Sequence, residues 1–372
     1  TRCRICDSGE LTKFLDLGNQ PLANSFLKTE EEFETEELYP LQVCFCGKCN
    51  LVQLSEVVSK EKMFSDYIYF SSGMPKLSDH FKTYAKKVMD RFLKPNDFVV
   101  EIASNDGILL KYFKDNGYRT LGVDPAANVV KIAEKSGIET LVNFFSEKLA
   151  QQISKDEGKA KLILANNVVA HIDDLQDLMK GVKALLADDG AFVIEAPYLV
   201  DMFENLTYDT IYHEHLSYLA LRPLNKLFAM FDLEAFDMEV NEVQGKSLRI
   251  FVGHKNKNQV TENISKYSEL ELSLKMDTLD VYQDLANKIM KQKEQLIKLL
   301  TDLKQQGKTI AAYGAPAKGN TVLNYCSIGT NILNYALEDL EAKQSMFTPG
   351  MHIPTVSSDY AHEHEPDYYL ML

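Results

Sequence analysis

The sequence predicts an α/β protein. A parallel sheet covered by helices on both faces forms its centre, with a cysteine-bearing segment before it and a second, smaller α/β unit after it. Three observations carry this expectation. Short apolar runs alternate with amphipathic stretches between residues 75 and 195, the pattern of strand–helix crossovers. Five of the six cysteines fall before residue 50. A long amphipathic stretch then leads into a new strand-like run at 309–313. A chain of 372 residues suits two or three domains, placed at 1–75, 76–256 and 257–372.

The elements follow in order. Leu77, Phe81, Tyr84, Val88 and Phe92 recur at three- and four-residue steps and predict a helix over 75–93. Pro95, Asn96 and Asp97 end it, and residues 98–102 read as a buried strand. A helix at about 107–116, a strand at 120–123 and a helix at 126–136 closed by Gly137 come next. A strand at 161–165 precedes a helix near 173–186, and an Asp189-Gly190 turn opens a strand at 191–195. Further expectations are a helix at 222–231, a strand at 248–252 and a long helix at 277–306 stopped by Gly307. The strand at 309–313 leads through a glycine loop into another helix, and residues 368–372 read as a buried strand.

Lysine and arginine number 40 against 54 acids, a net charge of −14. Such a chain repels a phosphate backbone at long range, which argues against nucleic-acid binding while allowing a local basic pocket. No apolar run approaches the length of a membrane span, and the first residues lack the apolar core of a signal peptide. The expected location is the cytoplasm, where clustered cysteines favour metal over disulfides. Cys3 and Cys6 form one CxxC pair; Cys46 and Cys49 form a second. Two such pairs complete a closed four-thiolate zinc site with no open position, hence a structural one. Cys44 competes with Cys46 on sequence grounds, and the two-residue spacing favours Cys46.

The loop from Glu101 to Gly107 follows one strand and opens a helix, and small residues let its backbone approach a ligand. Asp124 ends the next strand, where an acid accepts hydrogen bonds from ribose hydroxyls. GxGxxG is absent, so no dinucleotide fingerprint is present. The loop resembles the acidic-x-Gly-x-x-x-Gly loop of S-adenosylmethionine-dependent methyltransferases, with Ala103 in place of the first glycine. Glu101, Ala103, Asn105, Gly107 and Asp124 are the candidate cofactor contacts. Asn166 joins them from the carboxyl end of the 161–165 strand, and His171 lies just beyond.

Tyr212, His213, Glu214 and His215 form the most unusual stretch. An imidazole beside a carboxylate suits general-base work near neutral pH, and a tyrosine hydroxyl suits a developing oxyanion. HxH with one glutamate is a weak metal motif, and HExxH is absent. Gly314, Lys318 and Gly319 lie in a loop whose spacing approaches a P-loop without its GK[ST] end, which argues against nucleotide hydrolysis.

Taken together, these motifs resemble the nucleotide-sugar C-methyltransferases of deoxysugar biosynthesis, especially the TDP-ketosugar 3-C-methyltransferases. The matching pieces are both CxxC pairs with residues 15–18, 21–26 and 51–54, the segment 67–73, the loop 101–107, Tyr212 to His215, and residues 313–321 and 348–354. The resemblance implies a zinc-binding N-terminal domain, a central Rossmann-like domain for S-adenosylmethionine and a C-terminal Rossmann-like domain. It implies a nucleotide-linked 4-keto deoxysugar as substrate; the expected assembly is a monomer or small homo-oligomer. His215 is implied as the base with Glu214 and Tyr212 beside it, and His171 and Tyr69 as residues lining the sugar. Lys246, Arg249 and Lys318 are implied at phosphate. Methylation of oxygen or nitrogen on a sugar or other small molecule is the rival chemistry.

Overall fold

The computed structural model describes residues 1–64, 75–241 and 245–372. Strands β1 (Leu11–Gln20), β2 (Tyr39–Cys46) and β3 (Val52–Leu54) form an antiparallel N-terminal sheet. Strands β4 (Phe98–Ile102), β5 (Arg119–Asp124), β6 (Thr140–Val142), β7 (Ala160–Asn166) and β8 (Leu186–Pro197) run parallel in the central sheet. The two-residue strand β9 (Ser217–Tyr218) leaves that centre and pairs with β3, Gln53 opposite Ser217. A hairpin of β10 (Leu233–Asn241) and β11 (Ser247–His254) then completes the central sheet, antiparallel to β8. The resulting order is β10-β11-β8-β7-β4-β5-β6.

The chain moves outward from β4 to β6 and then crosses back to lay β7 on the other side of β4. That reversal opens a crevice at the carboxyl ends of β4 and β7, the place where such sheets take ligands. Continuous apolar strands follow from burial on both faces; all five residues of β4 are buried. One face packs on the helices Pro75–Phe92 and Ile108–Asp115. The opposite face shares a continuous core with the N-terminal sheet and the C-terminal unit. Tyr282 of the helix Leu279–Gln305 sits in that core with Phe14, Phe45 and Phe203 around it, at ring separations of 5.1, 4.9 and 5.3 Å.

The C-terminal unit is a parallel sheet of β12 (Ile310–Tyr313), β13 (Ala336–Leu337), β14 (Thr355–Val356) and β15 (Tyr368–Met371), ordered β14-β13-β12-β15. Gly137 and Gly307 stop their helices in the left-handed conformation as expected. The Ile138 and Lys308 amides reach back to Ala133 and Leu303. Two expectations change. The 191–195 strand begins already at Leu186, so Asp189 and Gly190 lie within a strand and not in a turn. The strand at 368–371 exists, but among the described residues it lies at the edge of its sheet, with Tyr368, Tyr369 and Met371 exposed. Among the described residues, no helix is long and apolar enough to cross a membrane.

Candidate active site

The two CxxC pairs fold as matching knuckles. Asp7 and Asn50, each four residues after the first cysteine of its pair, take left-handed φ values of 54° and 71°. Their amides close back onto the Cys3 and Cys46 carbonyls at 2.9 Å. The four sulfurs lie within 4.8 Å of one another. Cys3 Sγ is 3.3 Å from Cys49 Sγ, and Cys6 Sγ is 3.6 Å from Cys46 Sγ. Zinc–sulfur bonds of about 2.3 Å imply tetrahedron edges of about 3.8 Å, so the group fits zinc. Cys44 is buried on β2 outside this group.

The β4 loop is built by three left-handed residues: Ala103 (φ 54°), Asn105 (φ 50°) and Gly107 (φ 78°). Ala103 holds this conformation at a steric cost that glycine would not carry. Asp124 pins the loop, its Oδ2 accepting from the Asn105 amide and its Oδ1 from the Ala126 amide, both at 2.9 Å. A Cβ at Gly122 would collide with Ser104 and Thr140, so β5 can approach the loop only with glycine there. Glu101 accepts from Asn166 Nδ2 at 3.1 Å. Burial, reinforced by Asp106 and Asp124 against the pull of Asn166, raises the Glu101 carboxyl to about 8. Glu101 Oε2, Ser104 Oγ and Asn166 Oδ1 are buried with no hydrogen-bond partner among the described residues. Buried polar atoms are rarely left so, and these suit the cationic and hydroxyl-bearing methyl donor. The six expected cofactor residues therefore converge on one crevice. Ser104, buried with an unmatched hydroxyl, joins them; its position inside the Glu101 to Gly107 loop is the signal the sequence offers.

Tyr212 to His215 send their side chains in different directions. His213 reaches the Tyr39 carbonyl at 3.3 Å, and Glu214 accepts from Asn24 at 2.6 Å. His215 is buried, its Nδ1 2.7 Å from the Thr210 carbonyl and its Nε2 3.0 Å from the Tyr212 hydroxyl. A carbonyl only accepts, so Nδ1 carries the proton and Nε2 presents its lone pair to the tyrosine O–H. Burial lowers His215 to about 4, with the Lys318 charge adding to the effect and the Thr210 carbonyl opposing it. His171 lies 4.9 Å from His215 between ring centres, also held neutral by burial. The Phe64 ring lies 5.7 Å from that of His171. Lys246 lines the same cavity as His215, Thr210 and Asp201 and pairs with Glu204.

Arg249 stands apart. Its guanidinium is buried against Glu195 and Glu239 and lies 3.8 Å over the Tyr84 ring. The same Glu195 takes His80 at 2.6 Å. A guanidinium spent on carboxylates of its own sheet is not offered to a ligand phosphate, so that expectation is corrected. Tyr69 lies outside the described residues. Asn24 was missed as a site residue although its segment was singled out; only the fold brings it to Glu214.

Three family profiles match in succession: a putative zinc binding domain over residues 3–64, a methyltransferase domain over 77–236 and a C-methyltransferase C-terminal domain over 242–372. The C-methyltransferase NovU of Streptomyces niveus is 34% identical over 376 aligned residues, which take in 100% of this chain and 89% of that protein. The chain belongs to this C-methyltransferase family. It is an S-adenosylmethionine-dependent methyltransferase with a zinc-binding N-terminal region. Among solved structures, magnesium protoporphyrin IX methyltransferase of Synechocystis PCC 6803 with bound SAM aligns at TM-score 0.37 and 9% identity, over 48% of this chain and 79% of that one. A SAM-dependent methyltransferase of Anabaena variabilis aligns at TM-score 0.38 and 16% identity, over 54% of this chain and 100% of that one.

Proposed function

We propose that this C-methyltransferase acts on a nucleotide-linked 4-keto deoxysugar, with His215 as the base that removes a proton from the carbon beside the ketone. One observation carries the reading: the Thr210 carbonyl fixes the tautomer of a buried, neutral His215 so that its free lone pair sits at Nε2, beside a phenol and a second imidazole. A ketone acidifies its neighbouring C–H by moving the charge to oxygen. The Tyr212 hydroxyl donates to Nε2 before reaction and turns to the enolate oxygen as charge builds there, which frees the lone pair for the proton. His171 is the second candidate donor to that oxygen. Glu214, tied to Asn24, holds the loop between the N-terminal sheet and the centre.

S-adenosylmethionine, when bound, supplies an electrophilic sulfonium methyl. Glu101, Asn105, Asp124 and Asn166, with the loop Ala103 to Gly107, would hold it. Lys318, whose charge acts on His215, and Lys246, which lines the same cavity and pairs with the single carboxylate of Glu204, are the cations proposed for the substrate's phosphates. His215→Ala is expected to keep donor binding and lose methyl transfer by roughly 10²–10⁴-fold, the usual worth of a general base. Turnover near that of the wild type would remove His215 from this role.

A further inference from the structure

We propose that Arg4, lodged between the two cysteines of the first knuckle, is a positioning residue that braces the two active-site imidazoles against each other. The proposal rests on the reading of His215 and His171 given above. Arg4 is buried, its side chain 3% exposed. Its backbone amide donates to Gln53 Oε1 at 2.9 Å, which fixes the knuckle on β3. Its Nη1 donates to the Leu54 carbonyl at 2.8 Å and to the Leu216 carbonyl at 3.2 Å. Leu216 follows His215 directly, and its carbonyl also takes the Leu54 amide at 2.9 Å. Arg4 Nε donates to Asp173 Oδ1 at 2.9 Å, and Asp173 lies two residues beyond His171.

One planar guanidinium thus ties the end of β3, the residue after His215 and the turn after His171. Its donors sit in a rigid fork, so the separation of the three acceptors is set by its own geometry. Lysine, with one ammonium on a flexible stem, cannot reproduce that fork. The knuckle holds Arg4 in turn, because Cys3 and Cys6 flank it and their sulfurs belong to the four-thiol group. The zinc region is in this way mechanically continuous with the proposed site of proton removal. Displacing catalytic groups by about 1 Å costs on the order of 10²-fold in rate, so a loosened brace should be visible in turnover.

Two variants separate positioning from folding. Arg4→Met removes the fork from a buried place; Asp173→Asn removes only the charge of a half-exposed partner. Four measurements apply to each full-length protein: zinc content, S-adenosylmethionine affinity by calorimetry, turnover on a nucleotide-linked 4-keto deoxysugar, and long-range proton–nitrogen NMR signals of the imidazoles. In Arg4→Met, turnover is expected to fall at least about tenfold. Zinc content and donor affinity should stay within about twofold, and the His171 and His215 signals should move while those of exposed His362 stay. Asp173→Asn should show the same signature more weakly, and Arg4→Lys should recover only part of it. The proposal is overturned if both variants keep wild-type turnover and imidazole signals. It is also overturned if turnover falls only in step with lost zinc or lost donor binding. The NMR arm needs no substrate, so failure of His215→Ala to lose activity would remove the base assignment without deciding the brace.

Discussion

Glu101 gives the sharpest handle on the proposed donor site. The residue is 4% exposed. Burial, then repulsion from Asp106 and Asp124, raises its carboxyl from 4.5 to about 8. A carboxyl raised on folding favours the neutral acid in the native state. Its contribution to stability is fully present below pH 4.5 and is lost as pH rises through 8. At about 1.4 kcal/mol per unit, the whole span amounts to roughly 4–5 kcal/mol. The donor carries a sulfonium and an ammonium, and a cation beside Glu101 favours the carboxylate. Binding near pH 7 should therefore expel a proton. With the free carboxyl at about 8, about one tenth is ionised at pH 7 and about one half at pH 8. Donor affinity should then climb about fivefold over that interval and about ninefold from pH 6 to 7. Titration calorimetry in buffers of different ionisation enthalpy measures both effects. Glu101→Gln should flatten the profile and abolish the release of about 0.9 proton at pH 7; the donor's own titration is common to both proteins. Identical pH profiles and identical proton release in the two would refute the reasoning.

Two further outcomes concern the scaffold. Glu271 is buried at the start of the helix Leu221–Ala229 and accepts from the Leu221 amide at 2.6 Å, the Arg222 amide at 2.9 Å and the Tyr198 hydroxyl at 2.8 Å. Glu271→Ala leaves these donors unmatched and should cost roughly 2–4 kcal/mol, read as a lowered urea midpoint. Cys46→Ser should reduce zinc from about one per chain towards none and expose β1 and β2 to limited proteolysis, while a variant that retains full zinc would contradict the four-thiolate site.

Local signals made much of the centre legible. The helix Pro75–Phe92, the strands β4, β5 and β7 and the glycine stops at 137 and 307 lie where periodicity and turn chemistry put them, because each is decided by neighbours in sequence. The knuckles were legible for the same reason: two-residue spacing is itself the geometry. Features decided by distant residues were not. Ser217 and Tyr218 pair with β3 across more than 160 positions, and two residues carry no period to read. Arg249 looks like a free cation in sequence, whereas the register of β11 against β8 sets it opposite Glu195. Tyr368 to Met371 form an apolar run of the kind buried strands have, but among the described residues β15 pairs only with β12 and three of its four residues are exposed, so its faces are not covered as those of the central strands are. Arg4 was invisible as more than a knuckle residue, since Leu216 and Asp173 reach it only through the fold.

Deuterium on the carbon beside the sugar ketone reports most directly on proton removal by His215. A deuterated nucleotide-linked 4-keto deoxysugar, incubated with the enzyme and S-adenosylhomocysteine in place of the donor, should lose its label to water, as followed by mass spectrometry. His215→Ala should retain the label. Methyl transfer by the wild type without any loss of carbon-bound deuterium, or unchanged exchange in His215→Ala, would contradict the role of this imidazole and favour methylation at oxygen or nitrogen.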